Sequence, residues 1–189
     1  MGECDLVELR MDSLELDDSL KSYMNKCNKP LLVTARGPLE GGQNNLSIEE
    51  RRQLYLEMIP FAAAIDIELV SHKDLADVIA KAKENGVVMI GSFHNFDETP
   101  SLDALRTKIG ESADVHKFAT KVNEESDLDI HRELLKLDSP LSVMGMGTLG
   151  ADARPEMIQR GSLLNYGYLG DTPTAPHQWP VAKLRSLTR

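Results

Sequence analysis

AIDIELVSHKDLADVIAKAKENGVVMIGSFH, residues 64–94, contains one full turn of the pattern that decides the fold. Its opening, Ala64-Ile65-Asp66-Ile67-Glu68-Leu69, alternates apolar and acidic side chains with the period of two that a half-buried strand requires. Leu75, Val78, Ile79 and Ala82 then recur at helical spacing, and Gly86 follows where a helix would end in a left-handed cap. Residues 87–94 are again mostly apolar and of strand length. Strand, helix and strand within about 30 residues predict a βαβ crossover and parallel pairing.

The same alternation extends outward in both directions. Strands are expected over 5–11, 30–36, 64–69, 87–94, 114–119, 141–147 and 163–168. Ser47-Ile48-Glu49-Glu50 forms a capping box that opens a helix toward Ile59. Leu102, Leu105 and Ile109 suggest a second helix, and Leu128, Ile130, Leu134 and Leu135 a third, with shorter helices over 19–25, 154–160 and 178–187. Seven βα repeats predict first a (β/α)₈ TIM barrel and second an open doubly wound sheet. The count is one strand short, and a complete barrel takes about 250 residues. The expectation is therefore a single barrel domain over 1–189, incomplete at its N-terminus, as a fragment or one module of a longer chain.

The 189 residues carry 21 Lys+Arg against 30 Asp+Glu, a formal charge of −9. That balance repels phosphate backbones and anionic lipid, so neither nucleic acid nor a membrane is an expected partner. No apolar run reaches the roughly 20 residues of a membrane span, and the N-terminus lacks the layout of a signal peptide. The chain reads as cytoplasmic. Cys4 and Cys27 are too few for a disulfide scaffold and have no metal-ligand spacing.

Strand parity sorts the polar residues. Leu6, Glu8, Arg10 and Asp12 share one face of the first strand, and Leu32, Thr34 and Arg36 one face of the second. Asp66 and Glu68 share a face of the third, Ser92 and His94 of the fourth, Lys117 and Ala119 of the fifth. A purely structural barrel fills its lumen with Val, Ile and Leu, whereas active sites are built at the C-terminal strand ends. Each residue alone has a plainer explanation. Lys117 could pair with Glu68 or Asp66, His94 could be a satisfied loop histidine, Glu40-Gly41-Gly42 could be only a turn, and Glu8 and Arg10 could lie on an exposed edge strand. The joint pattern argues for a site, because all of them converge on one end of one predicted barrel.

No HExxH motif, no EF-hand spacing and no phosphate-binding loop is present, so neither metal nor cofactor is expected. What remains is side-chain chemistry. A lysine inside a barrel, near Arg10 and Arg36, would be disfavoured as an ammonium and so able to attack a ketone. The resulting iminium is an electron sink, which makes an adjacent C–H removable by a base such as His94, with Glu40 a candidate to orient the imidazole. Arg154 is a candidate bidentate clamp for a substrate carboxylate.

These residues resemble the type I 3-dehydroquinate dehydratases. The segments that carry the resemblance are Glu8-Leu9-Arg10-Met11-Asp12, Thr34-Ala35-Arg36 with Glu40-Gly41-Gly42, Ser92-Phe93-His94-Asn95-Phe96 with Thr99-Pro100, Asp114-Val115-His116-Lys117-Phe118-Ala119, Met144-Gly145-Met146-Gly147 and Thr174-Ala175-Pro176-His177-Gln178. They follow the family's order across nearly the whole chain. The resemblance implies a (β/α)₈ barrel that converts 3-dehydroquinate to 3-dehydroshikimate by syn elimination through an imine. Lys117 would form the imine. His94 would remove the C2 proton and later protonate the departing hydroxyl, with Glu40 as its carboxylate. Glu8, Arg10 and Arg36 would position the ring hydroxyls and the imine region. Arg154, Thr174 and Gln178 would hold the carboxylate end and the closing loop, and Met144 and Met146 would pack on the ring or simply fill core.

This sequence departs from the family in several places. The first strand and helix are not represented. His116 stands where an apolar residue is usual, and parity turns it toward the helices. Thr174 replaces a usual Ser, and His177 replaces a usual Gly whose absence would restrict the closing loop. The short end after Gln178 is compatible with fusion to shikimate dehydrogenase, although no dehydrogenase sequence is present, and a homodimer is also compatible. Two other readings stand beside the dehydratase: a Schiff-base class I aldolase, and an incomplete, non-catalytic or poorly folded barrel.

Overall fold

The computed structural model describes residues 4–110, 112–173 and 175–187. Its chain forms two compact units, Asp5–Ser92 with Ser112–Asp114, and Met1–Cys4 with Phe93–Glu111 and Val115–Arg189. Among the described residues the architecture is α/β, with six strands that pair in parallel within each unit and helices between them.

In the first unit β1 (Val7–Arg10), β2 (Leu31–Thr34), β3 (Ala64–Glu68) and the start of β4 (Val88–Asn95) pair in chain order, all parallel. The register sets Arg10, Thr34, Asp66 and Ile90 in one row across the sheet, and Glu68 beside Ser92 one row further on. Helices α1 (Asp18–Lys26), α2 (Ile48–Met58) and α3 (Ala76–Glu84) supply the crossovers that parallel pairing demands. α2 begins where the sequence places it. The Ser47 hydroxyl accepts from the Glu50 N–H at 3.2 Å, and the Glu50 carboxylate accepts from the Ser47 N–H at 2.8 Å. α3 ends at Asn85, and Gly86 takes a left-handed φ of 69°. Val33, Ile65, Ile67, Met58, Leu75, Val78 and Met89 are fully buried between these elements. Burial of each such side chain contributes about 1.5–3 kcal/mol.

In the second unit β5 (Val115–Lys121) pairs in parallel with β6 (Leu141–Met146), setting Lys117 opposite Ser142 and Ala119 opposite Met144. Around them lie α4 (Leu102–Arg106), α5 (Glu125–Leu134), α6 (Gly147–Asp152), α7 (Arg154–Gln159) and α8 (Val181–Arg185). Phe118, Leu105, Leu134 and Val143 are fully buried. His116 is also buried, and its Nε2 accepts from the Gly110 N–H at 3.1 Å, a packing role on the apolar side of β5.

The strand expected over 163–168 does not form. The segment is irregular, with a single parallel bridge between Tyr168 and Pro180. It joins β6 through the Leu163 N–H, which donates to Leu141 O at 3.0 Å, and side chains take two of its carbonyls and the one before it. Ser142 Oγ donates to Leu164 O at 2.7 Å, Asn165 Nδ2 to Ser162 O at 2.8 Å, and Arg154 Nη1 to Tyr166 O at 2.8 Å. α6 was not among the expected helices; Gly147, expected as the end of the 141–147 strand, opens it at a φ of 80°. Gly150 is required within it, since a Cβ there would stand 2.3 Å from the Gly145 carbonyl carbon. Among the described residues no helix is long and apolar enough to cross a membrane.

Candidate active site

In the first unit the strand ends hold an ionic cluster. Arg10, half-buried on β1, grips the fully buried Asp12 with two hydrogen bonds, from Nε at 2.8 Å and Nη2 at 2.7 Å. Its hydrogen bonds to the Asp12 carboxylate hold the Arg10 pKa above its ordinary value, against the opposing effect of burial. For Asp12, burial favours the neutral acid, but Arg10 and the backbone N–H groups of Gln43 and Arg36 outweigh it and lower the pKa. Arg10 Nη2 also donates to Gly41 O at 3.2 Å, which ties β1 to the turn bearing Glu40. That turn, the 3₁₀ segment Pro38–Glu40, closes through Gly41 at a φ of 86° and leaves Glu40 buried. Glu8 is half-buried and accepts from Thr34 Oγ1 at 2.7 Å.

Arg36 lies deeper, with 3% of its side chain exposed. It donates to Ser92 Oγ at 2.6 Å and to Asp66 Oδ1 at 3.0 Å, and stands 3.3 Å from Glu68 Oε1. Burial works against this cation, and the two carboxylates more than offset that cost, so its pKa lies above the ordinary value. These buried charges are therefore neutralised in place, as a buried charge requires.

In the second unit Lys117 is 4% exposed on β5, and its Nζ lies 4.3 Å from the centre of the Tyr166 ring. His94, half-buried near the end of β4, stacks on Phe96 with ring centres 6.4 Å apart and planes 16° from parallel. Arg154, Met144, Met157, Asn165 and Tyr166 line one recess. The Arg154 guanidinium donates to Tyr166 O, while its buried Nε makes no hydrogen bond among the described residues. Desolvation lowers its pKa. Gln178 closes a turn by donating its N–H to Ala175 O at 3.2 Å, and the preceding His177 sits at a φ of 58°. Thr174 lies outside the described residues.

The geometry thus joins Arg10 to the Glu40 turn and Arg36 to the acids of β3, and joins Arg154 and Lys117 through Tyr166. Sequence reasoning missed Tyr166, which it read as part of a strand. It also missed Arg51 and Tyr55 of α2. Arg51 donates to Glu68, to Ala35 O at 2.7 Å and to Ser71 Oγ at 3.1 Å, while Tyr55 donates to Asp66 O at 2.5 Å. An i, i+4 pair of buried polar residues on a helix leaves a trace in the sequence, but it is indistinguishable there from a solvated face.

Parallel βα units with a buried strand lysine and separate sets of cations define an α/β enzyme scaffold suited to carbonyl chemistry on an anion. The comparisons resolve that class further. A sequence model of the type I 3-dehydroquinase family matches residues 2–189. The chain is 34% identical over 185 residues to a 3-dehydroquinate dehydratase of Thermodesulfovibrio yellowstonii, covering 92% of this chain and 80% of the relative. It is 33% identical over 186 residues to the enzyme of the same name from Methanocella arvoryzae, covering 95% and 84%. The crystal structure of 3-dehydroquinate dehydratase from Geobacillus kaustophilus superposes with a TM-score of 0.86 at 28% identity, covering 98% of this chain and 80% of that one. The type I enzyme of Clostridium difficile, solved with covalently modified comenic acid, gives 0.84 at 27% identity, covering 97% and 80%. The chain belongs to the type I 3-dehydroquinase family, whose members are hydro-lyases.

Proposed function

We propose that this chain dehydrates 3-dehydroquinate to 3-dehydroshikimate by syn elimination, with Lys117 as the imine-forming residue. The family match over residues 2–189, falling on a chain whose β5 lysine is buried against an aromatic ring, carries this reading. The Lys117 amine adds to the ketone carbon, a C–N bond forms and the carbonyl oxygen leaves as water. His94 takes the proton from C2, and that electron pair flows into the iminium to give an enamine. The electrons return to expel the hydroxyl, which takes the proton from His94 and departs as water. Hydrolysis of the conjugated imine then releases product and restores the lysine. Net, one water is lost from the substrate.

Glu40 is the carboxylate assigned to the acid–base step. Glu8, Arg10 and Arg36 are assigned to the ring hydroxyls and imine region, and Arg154, Thr174 and Gln178 to the carboxylate end and closing loop. The incompletely hydrogen-bonded Arg154 guanidinium supports its share of that assignment. A (β/α)₈ barrel, a cytoplasmic setting and a homodimer or fused partner accompany the same reading, the barrel supported by likeness to solved family members. The test is borohydride reduction in the presence of 3-dehydroquinate, followed by mass analysis of peptides. A covalent adduct on Lys117 is expected. Turnover without any adduct would overturn the imine, and absence of both would favour a non-catalytic chain.

A further inference from the structure

We infer that Arg51 is a positioning residue for this reaction, holding Glu68 so that Glu68 in turn fixes the Arg36 guanidinium and the start of the Glu40 turn. The inference rests on the substrate-binding role proposed for Arg36. Arg51 projects from α2 and only 5% of its side chain is exposed. Each of its nitrogens has a different partner. Nε donates to Ala35 O at 2.7 Å, Nη1 to Ser71 Oγ at 3.1 Å and Nη2 to Glu68 Oε2. Glu68 uses its other oxygen for two further contacts: Oε1 accepts from the Gly37 N–H at 2.5 Å and lies 3.3 Å from Arg36 Nη1. One carboxylate thus joins a helix arginine, a strand-end arginine and the backbone from which the segment Pro38–Glu40 departs.

The local chain is shaped around this contact. A Cβ on Gly37 would stand 2.8 Å from Arg51 Nη1 and 3.3 Å from its Cζ, so only glycine lets the guanidinium come so close. One turn further along α2, Tyr55 accepts from the Ala35 N–H at 3.0 Å and donates to Asp66 O, bracing the backbone on both sides of the same ion pairs. Burial, with the negative charge of Glu68 next in weight, raises the Tyr55 pKa and keeps it a phenol donor. Without Arg51, Glu68 would remain buried beside Arg36 with one of its oxygens released, and the pair would be free to re-orient. Lysine cannot replace the fork, because an ammonium does not reach three partners in a plane.

The experiment compares the wild type with Arg51→Lys, measuring steady-state dehydration of 3-dehydroquinate, the melting temperature and the amount of borohydride adduct at saturating substrate. The expected result is a KM raised about tenfold or more, the size of one charge-assisted hydrogen bond, with the Lys117 adduct still forming in full at saturation. A purely structural arginine would instead lower the adduct in step with the folded fraction and leave KM unchanged, and that result overturns the inference. If Arg51→Lys does not fold, Glu68→Gln carries the test, because it keeps the shape of the hub and removes its charge. It is expected to raise KM in the same way, and an unchanged KM counts against the inference. Absence of wild-type turnover would remove the dehydratase reading itself, a result distinct from an active wild type with an indifferent Arg51 variant.

Discussion

Lys117 Nζ lies 4.3 Å from the centre of the Tyr166 ring, within the range at which an aromatic face attracts positive charge. Condensation with a ketone would place such a charge on this nitrogen. The backbone that carries the ring is anchored, since Arg154 Nη1 donates to the Tyr166 carbonyl oxygen at 2.8 Å. The contact is worth roughly 0.5–2 kcal/mol. Tyr166→Leu should therefore slow formation of the borohydride-trapped adduct by about tenfold, whereas Tyr166→Phe, which keeps the ring, should stay within about twofold of wild type. Equal rates for the leucine and phenylalanine variants would show that the ring face contributes nothing.

The two principal residues should separate cleanly. Lys117→Ala removes the nucleophile and should abolish both turnover and adduct. His94→Ala should still yield the adduct on Lys117 but lose about 10²- to 10⁴-fold in elimination, the usual contribution of a positioned base. Mass analysis after reduction, beside a turnover assay, distinguishes the steps. Normal turnover by His94→Ala would remove it from the acid–base role.

What could be read in the sequence was what has a period. Ala64–Glu68 alternates and became β3, while Ser47 and Glu50 announced the start of α2. The inward acids and cations followed from parity alone, and Arg36, Asp66, Glu68 and Ser92 do meet. Where the reading stopped, burial was decided by tertiary context. Glu49-Glu50-Arg51-Arg52 looks like one solvated run, yet Arg51 is buried and Arg52 is only partly so. Leu163, Leu164 and Tyr168 suggested a strand, but Ser142 and Arg154, distant in sequence, take the carbonyls of Leu164 and Tyr166 within it.

His177 is, among the described residues, the non-glycine residue with positive φ, at 58°. A left-handed backbone costs an L-residue roughly 1–2 kcal/mol, least for small polar types and most for β-branched ones. His177→Gly should relieve that strain and surrender a similar amount to the entropy of the unfolded chain, leaving the melting temperature nearly unchanged. His177→Val should lower it and raise KM if the loop at Gln178 holds substrate. Equal stability of the valine variant, followed by thermal melting, would contradict a left-handed requirement at this position.

His131 carries a pH dependence whose sign follows from its surroundings. It is fully buried on α5, and desolvation lowers its pKa to about 4, opposed by the Asp127 charge. Thr99 Oγ1 donates to Lys121 O, so it accepts from Thr120 Oγ1, which must in turn accept from His131 Nε2 at 2.7 Å. The chain of donors fixes the neutral tautomer protonated at Nε2. The unfolded imidazole takes up a proton near pH 6.5 and the folded one only near 4, so stability falls as pH drops through that interval and levels off below it. The loss from this residue alone should reach roughly 2 kcal/mol by pH 5. Other acids titrate in the same range, so the measurement is a difference: urea unfolding of wild type and His131→Gln at pH 7.5 and pH 5. The glutamine variant keeps a donor for Thr120 and has no charge to gain, so the wild type should lose about 2 kcal/mol more than the variant between the two pH values. Parallel losses in the two proteins would mean that the native imidazole titrates normally and that the donor chain does not hold it neutral.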